Sequence, residues 1–164
     1  MSESEMTSWL TEMRGLFNIF LGYFDSAEDG RREGVDKGVD HVSPESRAKL
    51  AENAGVSNVP DGYVTTSVGL FVMRMKKAWV GLPLILDELK QVHAPSKDYK
   101  KVQKDLEKAI KLFQGYVRLA IEGTPTSSKA KLITAEPFFI SAHEMKESAL
   151  RKFISLGGKV AGMD

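Results

Sequence analysis

Apolar residues recur at three- and four-residue intervals along most of this chain, the spacing that gathers them on one side of a helix. Trp9, Leu10, Met13, Leu16, Phe17, Phe20, Leu21 and Phe24 trace the first such face. Past Phe24 that face stops, and small residues carry on a four-residue rhythm at Gly22, Ser26, Gly30, Gly34 and Gly38. Ser43 as an N-cap, Pro44 in a first turn and Gly55 as terminator predict a short second helix over residues 44–54.

Pro60-Asp61-Gly62 marks a turn. A third helix is expected from Thr66 to Val80, carrying Val68, Leu70, Phe71, Met73, Met75, Trp79 and Val80, with a kink or a restart at Pro83. The cleanest stripe runs between Ser96 and Gly123 through Tyr99, Val102, Leu106, Ile110, Phe113, Val117 and Ile121. Lys100, Lys101, Lys104, Lys108 and Lys111 lie off that stripe and form a lysine-rich outer side. "GTPTSSKAK" reads as an exposed loop. Thr134 then caps a last helix with Phe138, Phe139, Ala142, Met145, Ala149, Phe153 and Ile154 facing inward. Gly157, Gly158 and Gly162 predict a loose end. Only "GYVTTSV" alternates like a strand, and it is short. The expected fold is all-α: a four- to five-helix bundle over residues 43–156, a long N-terminal helical arm over 1–42 and a flexible tail over 157–164.

With 164 residues, 42% of them hydrophobic, the chain can bury one core but not two. Cysteine is absent, which removes disulfides, thiolate nucleophiles and cysteine-based metal sites. The start, "MSESEMTSW", is acidic where a secretory signal is basic, and the nine-residue run "LFNIFLGYF" falls short of the ~20 apolar residues of a membrane span. Charge divides the chain. Residues 1–64 hold 6 Lys/Arg against 12 Asp/Glu, and residues 65–164 hold 17 against 10. Such a split favours head-to-tail contact between copies, or an anionic partner for the second half, unless the charges simply solvate helix faces.

Enzymatic signals are sparse. His143 and Glu147 share a helix face one turn apart, but His41 and His93 have no partners that would complete a metal site. Asp87 and Glu88 are adjacent, so they diverge by about 100° on a helix and cannot flank one substrate bond. Nucleophile elbows, P-loops, dinucleotide fingerprints and calcium loops are missing. A non-enzymatic protein without metal or cofactor is expected.

Glycines at 30, 34 and 38 within one helix would cost about 1 kcal/mol each relative to alanine. Two readings stand: a charged flexible linker, or a helix whose bare ridge admits another backbone or a nucleic-acid strand. The period of four is what the second requires. Gly30, Gly34 and Gly38, with the aromatic residues Trp9, Phe17, Phe20 and Phe24, are the candidate assembly interface. Candidate phosphate contacts are Arg31, Arg32 and Lys37 beside the ridge, Arg47 and Lys49 in the second helix, and Arg74, Lys76 and Lys77 in the third. Residues 70–118 carry 11 basic against 5 acidic residues. The main alternative is a small helical module that binds a partner protein through the aromatic face of residues 9–24.

"VSP" at 42–44 after an N-terminal arm, Gly69-Leu70, Arg74, Pro83 and Leu89-Lys90 together resemble the major coat proteins of rod-shaped and filamentous archaeal viruses, over about a third of the chain. The resemblance implies a helical arm and bundle that wrap double-stranded DNA in the A form, copies that stack into a filament, and a virion location in place of a cytoplasmic one. It also implies that residues 69–83 face DNA or a neighbour. Two departures are visible: the arm is acidic overall, and the connector before Gly69 is short.

Overall fold

A computed structural model describes residues 2–36, 68–126 and 129–163. Four helices make up almost all of them: α1 (Glu3–Asp36), α2 (Val68–Gln91), α3 (Lys97–Thr126) and α4 (Lys129–Ser155), with no strand among the described residues. The helix expected over 44–54 lies outside them.

α1 begins at a cap. The Glu5 amide donates to Ser2 Oγ at 3.1 Å, and Glu3 and Glu5 place negative charge where the helix dipole favours it. Its apolar face then enters the core from Trp9 to Ala27, so this half of α1 is a bundle helix and not a free arm. Helical backbone continues through Gly30 and Gly34 to Asp36, which favours the ridge over the linker reading as far as that residue; Gly38 lies beyond.

Pro83 does not interrupt α2. A proline removes the bond to the carbonyl four residues earlier. Here the ring is exposed, so water can satisfy the carbonyl of Trp79 and one helix spans both predicted segments. α3 opens at Ser96, whose carbonyl accepts from the Lys100 amide at 3.0 Å. The predicted loop after Gly123 is much shorter than its composition implies: α3 continues to Thr126, and α4 starts at Lys129, five residues before Thr134.

α3 and α4 pack most extensively, and the sequence of α4 shows why. Its buried seam alternates at steps of four and three: Ala135, Phe139, Ala142, Lys146, Ala149, Phe153. The alanines let the helices approach, and the rings fill the remaining space, Phe139 against Tyr116 of α3 and Phe153 against Trp9 and Phe17 of α1. Phe24 of α1 sits among them, 4.8 Å from the Phe139 ring and 5.2 Å from Phe113. Lys146 takes the one polar place in the seam. Its ammonium lies 4.2 Å from the Phe24 centroid and 3.4 Å from Glu147, an arrangement that keeps the charge partnered despite burial.

The chain end is anchored, contrary to the flexible tail expected from its glycines. Gly157 has φ +97°, its amide bonds Ile154 O, and the Gly158 amide bonds Phe153 O at 2.9 Å. That is a Schellman stop, which needs glycine at the left-handed position. Val160 is buried, and the Ala161 amide donates to Asn18 Oδ1 of α1 at 2.8 Å.

Candidate nucleic-acid interface

The helix exteriors carry the charge. On α3, Lys97, Lys101, Lys104, Lys108 and Lys111 succeed one another at steps of three and four, so they form one exposed row over ~21 Å of helix. Lys100 stands beside it. Two members are paired: Lys101 with Asp98 at 3.7 Å and Lys111 with Glu107 at 3.0 Å. Lys104 and Lys108 form no ion pair among the described residues. The other nearby carboxylate, Asp105, is turned toward α4, where it accepts from Lys152 at 2.5 Å and Ser148 Oγ at 3.2 Å.

An aromatic ring adjoins this row. Phe138 of α4 lies against α3 at Gly115, where an added Cβ would stand 2.7 Å from its ring. Glycine therefore makes room for a half-buried ring beside Lys104, Lys108 and Lys111. Together with Glu107 and Leu112 these residues line an open groove of about 400 Å³. A row of cations over a rigid scaffold suits a polyanion.

A second cationic surface belongs to α2. Lys76 and Lys77 are exposed and Arg74 is half-buried, and no acidic residue occurs from 68 to 86. Trp79 is exposed on the same helix. Of the remaining predicted phosphate contacts, Arg31 and Arg32 fall within the α1 helix, while Lys37, Arg47 and Lys49 lie outside the described residues. Of the predicted contacts only Arg74 and Lys77, three residues apart on α2, are placed as helix-surface neighbours, with Lys76 on an adjoining side.

The aromatic part of the predicted assembly interface is corrected. Trp9, Phe17, Phe20 and Phe24 are 0–1% exposed, buried within one chain, because α2, α3 and α4 cover the face they form. They cannot also meet another copy or a partner protein. Gly30 and Gly34 are placed in α1.

His143 and Glu147 each have neighbours outside the pair. The His143 ring lies 5.9 Å from that of Phe24, and Glu147 is engaged by Lys146. Among the described residues no three His, Cys, Asp or Glu side chains gather as a metal site would require. None of their helices is long and apolar enough to cross a membrane. Near the Lys146 seam, desolvation raises the pKa of Asp25 above 3.8; Lys146 opposes the rise, and Glu28 and Asp29 add to it.

Comparison with known protein families, curated proteins and solved structures gave no match.

Proposed function

We propose that this chain is a structural coat subunit that self-associates and packages nucleic acid, double-stranded DNA foremost, without reading its sequence. The observation that carries the reading is the α3 lysine row, with Lys104 and Lys108 uncommitted to any carboxylate among the described residues. Point charges on long flexible stems contact phosphates irrespective of base, whereas base readout needs bidentate side chains inserted into a groove. The resemblance to archaeal rod-shaped and filamentous virus coat proteins agrees with this role, and a virion location follows from it.

The test is a titration of the purified protein with duplexes of unrelated sequence at several salt concentrations. Expected are similar affinities for all sequences and a log–log salt dependence with a slope of several units, about −0.9 for each neutralised phosphate. Absence of binding at low salt overturns the packaging role.

A further inference from the structure

Half of the large apolar side chains exposed among the described residues lie on one helix. Met73, Trp79, Val80 and Leu84 of α2 are 44–69% exposed, and the others are Ile19, Ile140, Ile154 and Met163. Met73, Lys77, Val80 and Leu84 follow steps of four, three and four, so they share one face, and Lys76 flanks it. The face is apolar along its centre and cationic at its edge.

A complementary surface adjoins it toward the C-terminal end of the same helix, where Glu88 follows Leu84 by one turn. α1 and α2 run antiparallel, Tyr23 standing against Gly81 while Leu16 and Ile19 face the level of Glu88 to Val92. Between them opens a groove of about 370 Å³ with Leu16 and Ile19 as its apolar floor and Glu12 and Glu88 as its rim. Gly15 lines it, and a Cβ there would meet nothing within 4 Å, so the groove is widened by a glycine that packing within the chain does not require. The outer side of α1 is predominantly acidic, with Glu3, Glu5, Glu12 and Asp29 exposed.

We propose that the outer face of α2 around Met73, Lys77, Val80 and Leu84 docks into the α1–α2 groove of a second copy. Lys76 and Lys77 would meet Glu12 and Glu88, while Val80 and Leu84 cover Leu16 and Ile19. Patch and groove are centred ~15 Å apart along α2, and a continuous helix cannot fold one onto the other, so the contact joins unlike surfaces of two copies. Such a contact closes into a dimer where two copies exchange it about a two-fold axis and otherwise propagates into a ring or an open filament; the coat reading takes the second course. Charge reversal selects this partner over a second patch, because two cationic faces repel. The inference rests on the self-associating coat reading and names the surfaces it uses.

Sedimentation velocity without nucleic acid, at low salt and over a range of protein concentrations, tests it. The unaltered chain should form species larger than dimers as concentration rises. Lys76→Glu with Lys77→Glu should weaken association about tenfold or more, as should Glu12→Lys with Glu88→Lys, while all four changes in one chain should restore it. Val80→Ser with Leu84→Ser, which leaves the charges intact, should also reduce it. Circular dichroism melts confirm that each variant is folded. Association untouched by these changes overturns the docking proposal and leaves the coat reading in place. A fixed monomer mass for the unaltered chain at every concentration overturns both, and is the outcome expected if the patch is covered within the chain.

Discussion

The indole N–H of Trp9 donates to Gln103 Oε1 across 2.9 Å inside the core, where both residues are almost fully buried. Gln103 passes the connection on: its amide donates to Val92 O at 3.2 Å and reaches Leu89 O at 3.5 Å. One side chain thereby ties the start of α1, the end of α2 and the first turns of α3. Replacing Gln103 by Leu strands a buried indole N–H and removes the donor to the α2 end, and should destabilise the fold by about 2–3 kcal/mol. Trp9→Phe keeps a ring against Tyr99 and Phe153 but loses the donor, and should cost about 1–2 kcal/mol. Urea midpoints measure both. The double variant should cost less than the two losses added, since each single change strands the same partner.

Glycines in the helices separate into two kinds, and alanine should tell them apart. A methyl on Gly81 would overlap the hydroxyl and ring of Tyr23, so Gly81→Ala should lower the melting temperature, and Tyr23→Ala should relieve the overlap in the pair. At Gly15 and Gly22 the position a Cβ would take is open, with nothing within 4 Å. Alanine at either should raise stability by about 0.5–1 kcal/mol. A loss at Gly15 or Gly22 would show that these positions are packed.

The two cationic surfaces can be ranked by removing them separately. Lys104 and Lys108 changed together to Gln should weaken DNA binding and flatten the salt dependence by about 0.9 per lost phosphate contact. Thermal stability should hold within about 0.5 kcal/mol, because these side chains are exposed. The same treatment of Arg74, Lys76 and Lys77, titrated at a protein concentration low enough to keep the chain monomeric, measures the α2 surface. An unchanged titration for the first set would identify the lysine row as a merely solvated face.

Helices were readable in this sequence because their apolar positions are periodic, and the α3 stripe from Tyr99 to Val117 is buried almost as spaced. Periodicity reports that a face is covered, not what covers it. That is why Trp9, Phe17, Phe20 and Phe24 were equally compatible with a neighbouring copy and with α2, α3 and α4. Pro83 misleads for a related reason, since its effect depends on whether the freed carbonyl faces water. The Ser/Thr/Lys content of residues 124–131 hides Ala130, Leu132 and Ile133, whose spacing suits the helix that begins there. Gln103 and Lys146 carry no local signal at all: each is a polar residue in an apolar seam, legible only once its partners from other helices are in place. The lysine row was visible as a pattern, and it became a candidate site through the position of Asp105.

Asp25 makes stability depend on pH. Its pKa is raised in the folded chain, chiefly by desolvation and against the pull of Lys146, so the native state holds the proton more tightly than the unfolded state does. The associated contribution favours folding at low pH and is lost as pH rises from the ordinary value of 3.8 through the raised folded value. Asp25→Asn cannot ionise. Relative to the parent, it should gain stability as pH rises above the ordinary value of 3.8, read as a growing difference in melting temperature. Parallel melting curves for the two proteins across that range would contradict the assignment.

The anchored C-terminus predicts that a few residues outside any helix stabilise the bundle. Gly157 at φ +97° allows the chain to turn back, Val160 fills a buried place, and Asn18 Oδ1 receives the Ala161 amide. Gly157→Ala forces a side chain into the left-handed region and should cost about 1–2 kcal/mol. Val160→Ala should cost about 1–2 kcal/mol through lost burial, and Asn18→Ala about 1 kcal/mol through a lost hydrogen bond. Because Asn18 and Ala161 act through one contact, truncation after Lys159 should cancel most of the Asn18→Ala effect. Hydrogen exchange gives an independent reading: the Ala161 amide should be protected in the parent and fast in Asn18→Ala, with α3 amides unaffected. Rapid exchange of Ala161 in both proteins would mean that the tail is not held against α1.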